Sequence, residues 1–137
     1  MASPGSFDGG GTLIELNYWS RIICHVLIIE DEPFFALDLQ GVLEAQGATS
    51  FDCVDTHVDA VAAAVARRPA VITSDVHLYD GKGPDAVAEI RRLIGPIPVI
   101  FITATPQDCL EIVAGDAVMN KPIDRDALRA EFDRVRR

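Results

Sequence analysis

The sequence predicts an α/β protein built on a doubly wound, five-stranded parallel sheet. Short apolar runs alternate along the chain with segments whose apolar residues recur at helical spacing. The length of 137 residues suits one domain with a substantial core. Parallel neighbours in a sheet need crossover connections, and the intervening helical segments would supply them.

The strand candidates are short apolar runs, and they differ in polarity in a way that orders them. "VLII" and "VIFIT" are apolar enough for central strands, whereas "TSFDCV" and "AVMN" are more polar or shorter, as edge strands tend to be. This pattern suits the flavodoxin-like order 2-1-3-4-5, in which ligands gather beyond the carboxyl ends of the strands. The five candidates are 25–30, 49–54, 70–75, 98–103 and 116–120.

Start and stop signals delimit the helices between these strands. The first would begin at Pro33 and end at Gly47, and the third would follow Pro84 and end at Gly95. Segment 106–114 predicts at most a short fourth helix. Thr56 and Asp124 are placed to cap the second and last helices. The residues predicted to face the core are Phe35, Leu39, Val42 and Leu43, then Val58, Val61, Ala62 and Val65, then Val87, Ile90 and Ile94, and finally Leu128, Phe132 and Val135.

Composition excludes several function classes. The 12 basic and 21 acidic residues leave a formal charge of −9, which disfavours direct binding to nucleic acid or to anionic membranes. Cys24, Cys53 and Cys109 are widely spaced and suggest reduced thiols rather than a disulfide framework or a zinc site. No apolar run has the length of a membrane span, and the basic start of a signal peptide is absent. We expect a soluble, cytoplasmic protein.

Residues 1–24 are expected to form an extension to a sheet domain at 25–137. The opening "MASPGSFDGGGT" is typical of a flexible tail, and the apolar "LIELNYWSRIIC" that follows places Leu16, Trp19 and Ile23 on one helical face. Two interpretations stay open, a disordered leader and a short helix docked on this domain or on a second copy. Docking is the favoured interpretation, and it leaves a homodimer open.

Polar residues stand where four of the predicted strands end. Because the carboxyl ends of parallel strands share one edge of a sheet, we expect three carboxylates, one hydroxyl and one lysine to converge there. Carboxylates held close together repel one another unless a cation neutralises them, and the hard ion Mg²⁺ suits such ligands. The residues are Glu30 and Asp31 at the end of the first strand, Asp75 at the end of the third, Thr103 with Ala104 at the end of the fourth, and Lys121 after the fifth.

In order and spacing, these residues resemble the receiver domain of two-component response regulators. The resemblance covers residues 25–137 and implies that Asp75 accepts a phosphoryl group from a phosphohistidine on a sensor histidine kinase or phosphotransfer protein. It implies that Asp31 and Asp75 bind Mg²⁺, that the backbone carbonyl of His77 adds a ligand, and that Glu30 acts through a water. The protein would then be a phosphoacceptor rather than a dedicated enzyme.

The resemblance also assigns the groups that would hold the phosphoryl oxygens. Lys121 would pair with them, and Thr103 and the Ala104 N–H would hydrogen-bond them. In receivers a Tyr or Phe usually lies three positions before the lysine and moves inward with the threonine, but Val118 stands there in this chain. The usual aromatic readout is therefore in question. The stretch between Thr103 and Lys121 is also about one helical turn shorter than is common in the family, so we expect an irregular fourth helix.

A narrower resemblance concerns the runs "VLIIEDEPFFALDL" and "VIFITATPQ", which look like receivers of bacterial general-stress regulators. We expect no output domain after Arg137, and the resemblance then implies a single-domain receiver that signals by contact with an unidentified output protein. A phosphate sink that drains a shared kinase is an alternative.

Two rival classes compete with the receiver. A haloacid-dehalogenase phosphatase would carry a second Asp two residues after Asp75, where this chain has "DVH", and it would need a substrate cap. A pseudo-receiver that acts only as an interaction module stays open because of Val118. Several polar residues are expected to serve structure alone: the imidazoles of His25, His57 and His77, the turn at Asp80-Gly81, and Glu32 at a helix N-terminus.

Overall fold

Five parallel strands form the central sheet in the computed structural model, which describes residues 23–108 and 116–137. Their order across the sheet is 2-1-3-4-5 when the five strands are counted along the chain. The predicted fold and strand order are confirmed, and each predicted strand end lies within one residue of the observed one. The strands are β1 (His25–Ile29), β2 (Ser50–Val54), β3 (Val71–Ser74), β6 (Val99–Thr103) and β7 (Ala117–Asn120).

A small antiparallel hairpin, which the sequence did not predict, follows β3. Its strands are β4 (His77–Leu78) and β5 (Gly81–Lys82), and it leads directly into the next helix. Only the turn at its tip, Asp80-Gly81, was anticipated from the sequence.

Four α-helices lie within the described residues, and their ends follow the predicted signals. Thr56 accepts a hydrogen bond from the Asp59 N–H at 3.1 Å, and Asp124 accepts one from the Ala127 N–H at 3.0 Å. Gly95 ends the third helix with a positive φ of 89°, a conformation that glycine adopts without strain. The helices are α1 (Pro33–Ala45), α2 (His57–Ala66), α3 (Gly83–Ile94) and α4 (Arg125–Val135).

The sheet separates two cores because side chains alternate along each strand. Val26 and Ile28 of β1 point into the core shared with α1 and α4, whereas Leu27 and Ile29 point into the core shared with α2 and α3. The first core extends to Cys24, which is buried and has a free thiol, whereas the free thiol of Cys53 is exposed. None of the helices in the described ranges is both long and apolar enough to cross a bilayer.

The predicted inner face of α2 is wrong at Val58, Ala62 and Val65, and of its predicted residues Val61 packs against the core. The buried residues of this helix are Ala60 and Ala64, whereas Val58 and Val65 are 70% and 56% exposed. The helix is made almost entirely of alanine and valine, so its apolar pattern did not single out one face. The small side chains of Ala60 and Ala64 lie in the core and Val61 packs against it partly buried, whereas Val58 and Val65 face outward.

Two predictions fall wholly or partly outside the described residues. A 3₁₀ turn at Pro106–Asp108 begins the segment predicted to form a short fourth helix, and residues 109–115 are not among those described. The segment preceding residue 23, including Trp19 and the docking predicted for it, also lies outside them.

Candidate functional site

The main chain brings Glu30 and Asp75 to neighbouring positions at the carboxyl edge of the sheet. Ile29 pairs in register with Ser74, so the residues after them leave the sheet side by side. The Asp75 N–H donates to the Ile29 carbonyl at 2.9 Å, and the Glu30 N–H donates to the Val54 carbonyl at 2.9 Å. These bonds extend the parallel ladder by one residue beyond β1 and β3. The two acidic side chains are therefore held on rigid strand ends rather than on free loops.

On the other side of the sheet centre, one backbone hydrogen bond fixes Lys121 beside the end of β6. The Lys121 N–H donates to the Thr103 carbonyl at 2.9 Å, and the Lys121-Pro122 peptide is cis. The lysine side chain then reaches back across the edge of the sheet towards the carboxylates.

The ammonium of Lys121 is the centre of a largely buried charge cluster. Its Nζ lies 2.8 Å from Glu30 Oε1, 3.1 Å from Asp75 Oδ2 and 3.3 Å from Glu32 Oε2. The ring of Phe35 lies beneath it, with its centroid 4.4 Å from Nζ. These four groups, which lie just after β1, just after β3 and at the start of α1, thus favour the lysine as a cation at this position.

Burial and charge shift two groups of this cluster. Burial raises the pKa of Glu30 to about 7, and repulsion from Asp75 adds to this, against hydrogen bonds from Lys121 and from the Glu32 N–H. Burial alone would lower the pKa of Lys121, but hydrogen bonds and charge from Glu30 and Asp75 outweigh it and raise that pKa above its usual value. The site therefore tolerates its carboxylates because a cation sits among them.

Three of the predicted metal ligands come together. Oxygen atoms of Glu30, Asp31 and Asp75 all lie within 4.8 Å of one another. Hard oxygen donors at such a spacing fit Mg²⁺, which is usually bound through one or two carboxylates plus waters and phosphate oxygens. The three carboxylates are therefore suitable ligands for Mg²⁺. His77 was predicted to add only its carbonyl, and that role stays a prediction.

Thr103 and His77 are joined through a residue that sequence reasoning missed. The Thr103 hydroxyl accepts the Thr105 N–H at 3.1 Å and lies 3.3 Å from the Thr105 hydroxyl. The His77 Nε2 lies 3.1 Å from that same Thr105 hydroxyl. Ala104, predicted to offer its N–H, is exposed at the end of β6. The side chain of Thr103 thus contacts a neighbouring loop.

Three features of the site were not anticipated from the sequence. Glu32 was assigned to the N-terminus of α1, but its carboxylate, although exposed, approaches Lys121 and makes no capping hydrogen bond. Phe35 was assigned to the core, yet it also lies beneath the ammonium of Lys121. The contact of Thr105 with His77 and Thr103 is the third such feature. The only sequence signal for the first feature was the third carboxylate of "EDE" itself.

A cleft of about 430 Å³ opens beside the acidic cluster, between α1 and the ends of β2 and α2. Glu30 and Asp31 form part of its wall, and Leu37 and Val54 make it partly apolar. The acidic edge is thus accessible from the side of α1.

The fold and this edge define an α/β protein with an acidic pair, an isolated aspartate, a threonine and a lysine at the carboxyl ends of its strands. Residues 26–133 match the family model described as the response regulator receiver domain. Because that match covers most of the sequence, the chain belongs to the receiver domains of two-component response regulators.

Among similar proteins is the phyllosphere-induced regulator PhyR of Methylorubrum extorquens, 42% identical over 84 residues, which are 60% of this chain and 31% of that protein. The chain therefore matches less than a third of the length of this relative.

Two solved structures of similar fold bear the same name. The solution structure of the Erythrobacter litoralis PhyR receiver domain has a TM-score of 0.73 and 28% identity, covering 82% of this chain and 88% of that one. A mutant of the anti-anti-sigma factor PhyR from Bartonella quintana has a TM-score of 0.72 and 30% identity, covering 90% of this chain and 53% of that one.

Proposed function

We propose that this protein is a phosphoacceptor that takes a phosphoryl group onto Asp75 from a histidine kinase or a histidine phosphotransfer protein. The observation that carries the proposal is the position of the Asp75 carboxylate, which is held at a strand end beside two further carboxylates and the Lys121 ammonium. A nucleophile in such surroundings is poised for transfer of an anionic group.

The transfer itself exchanges one bond for another. An oxygen of Asp75 attacks the phosphorus of the phosphohistidine, and a P–O bond forms as the P–N bond breaks. The electron pair of the P–N bond returns to the imidazole nitrogen of the donor. Water later attacks the same phosphorus, which releases inorganic phosphate and restores the Asp75 carboxylate.

Residues of this chain supply the positioning. Glu30, Asp31 and Asp75 would hold Mg²⁺, which supplies positive charge for the phosphoryl oxygens when bound. Lys121 exchanges its carboxylate contacts for contacts with those oxygens. Thr103 and the Ala104 N–H donate hydrogen bonds to them. The backbone carbonyl of His77 completes the proposed ligands.

We further propose that the phosphorylated protein signals by protein contact. A relative of similar fold is an anti-anti-sigma factor, so an anti-sigma factor is the first class of output partner to test. A pure interaction module that takes up no phosphate is the competing function, and the aliphatic side chain of Val118 is the observation that favours it.

The test is the intact mass of the protein after incubation with acetyl phosphate and Mg²⁺, with rapid quenching. We expect a gain of one phosphate that is absent from Asp75→Ala and absent when EDTA replaces Mg²⁺. Asp126→Ala is the matched control, because it removes an exposed carboxylate that pairs with Arg129 rather than with Lys121, and we expect it to leave the gain intact. If neither acetyl phosphate nor a panel of phosphorylated histidine kinases adds mass to the wild type, the interaction module replaces the phosphoacceptor.

A further inference from the structure

The hairpin that follows Asp75 caps a helix from a distant part of the chain. Asp80, at the tip of the hairpin, accepts the His57 N–H at 2.7 Å and the Val58 N–H at 3.3 Å. These are the first two residues of α2, whose N–H groups have no partner within the helix. The same hydrogen bonds lower the pKa of Asp80, most of all the bond from the His57 N–H. The first turn of α2 thus depends on the position of the hairpin.

At its base, the same hairpin is connected through Thr105 to Thr103, which is proposed to hydrogen-bond the phosphoryl oxygens. His77, the first residue of β4, contacts the Thr105 hydroxyl, which in turn lies beside the Thr103 hydroxyl. One small hairpin therefore contacts the Thr103 loop through its first residue and α2 through its tip.

The first turn of α2 also contacts α3, and part of it lies on the surface. The His57 Nε2 lies 2.5 Å from Glu89 Oε2 on α3, and Val58 beside it is 70% exposed. A change in the cap would therefore alter the outer face of the two helices that cover one side of the sheet.

We propose that the hairpin of residues 77–82 reports the phosphorylation state of Asp75 to the first turn of α2. This inference rests on the proposed function. A Thr103 hydroxyl that bonds a phosphoryl oxygen turns away from Thr105, and the contact between Thr105 and His77 then rearranges. The hairpin then shifts, and the hydrogen bonds from the His57 and Val58 N–H groups to the Asp80 carboxylate weaken. This coupling does not require an aromatic side chain at position 118, which is occupied by Val118.

The test follows amide hydrogen exchange at His57 and Val58 by NMR, in the free protein and in protein whose phosphate content is verified by mass. We expect exchange at these two amides to become about fivefold faster on phosphorylation, the factor that corresponds to losing a side-chain cap of about 1 kcal/mol. Uptake of phosphate with unchanged exchange at both amides overturns this inference and leaves the proposed function standing. Absence of phosphate uptake overturns both.

Two variants test whether the coupling between Asp75 and α2 runs through Thr105 and Asp80. Thr105→Val removes the hydroxyl that joins His77 to Thr103, so we expect phosphate uptake without the change at His57 and Val58. Asp80→Ala removes the cap, so the two amides exchange rapidly in both states. Asp124→Ala, which removes the equivalent cap of α4, is the matched control and leaves the response of α2 unchanged. A Thr105→Val protein that responds as the wild type does refutes the route through Thr105.

Discussion

Replacing Gly83 by alanine tests how closely α3 approaches the main chain of the proposed phosphoacceptor. A Cβ atom at this position would lie 1.8 Å from the Asp75 carbonyl oxygen and 2.4 Å from Ser74 Oγ, whereas real Cβ contacts are essentially never under 3.0 Å. The Gly83 N–H also donates to the Val76 carbonyl at 2.7 Å, which holds the two segments together. The added methyl group must therefore push α3 and the Asp75 backbone apart.

The size of the effect follows from what has to move. Overpacking by one methyl group typically costs about 1–3 kcal/mol, and we expect about 3 kcal/mol because the first atom met is main chain rather than a flexible side chain. Urea unfolding followed by circular dichroism measures this cost as a lower midpoint at an unchanged slope. Because Asp75 is displaced with its carbonyl, we also expect slower phosphate uptake from acetyl phosphate.

Gly41→Ala is the matched control for this substitution. Gly41 lies within α1, and a Cβ there would meet nothing within 4 Å. The same chemical change should stabilise the protein by about 0.5–1 kcal/mol, because alanine loses less backbone entropy than glycine in a helix. If Gly83→Ala unfolds within about 0.5 kcal/mol of the wild type, the close approach that we infer from the structure is wrong.

Three further substitutions, the last with a control substitution, test other parts of the structure. Lys121→Met should lower the stability of the metal-free protein by about 2 kcal/mol, because it leaves buried carboxylates without their cation. Mg²⁺ should then raise the melting temperature of the variant more than that of the wild type. An equal Mg²⁺ effect in both proteins would contradict this. Thr73→Val should stabilise the protein by about 1 kcal/mol in urea unfolding, because the buried Thr73 hydroxyl has no hydrogen-bond partner among the residues that the structure describes, and a loss of stability would show that it has one. Arg91→Ala should lower the stability by about 3 kcal/mol, because it leaves the Asp116 carboxylate without the two Arg91 nitrogens that bind it at 2.7 and 3.0 Å. As the control, Arg129→Ala breaks an exposed ion pair and should lower the stability by less than about 1 kcal/mol.

Local signals in the sequence were enough for the fold and for most of the candidate site. The apolar runs predicted the strands, and side-chain caps such as Thr56 and Asp124 marked helix starts, because both depend on residues close together in the chain. The convergence of Glu30, Asp31 and Asp75 followed from topology alone, since parallel strands bring their carboxyl ends to one edge.

Tertiary structure alone decided the contacts between residues distant in the chain. The inner face of α2 could not be predicted because alanine and valine are both apolar, and only packing against the sheet selected the smaller residues Ala60 and Ala64. The contact of Glu32 with Lys121 spans 89 positions, and the bond from the His57 N–H to Asp80 spans 23. No local pattern encodes such a pair, because its two partners lie far apart in the chain. Its role arises only when the packed sheet and helices bring the two side chains together.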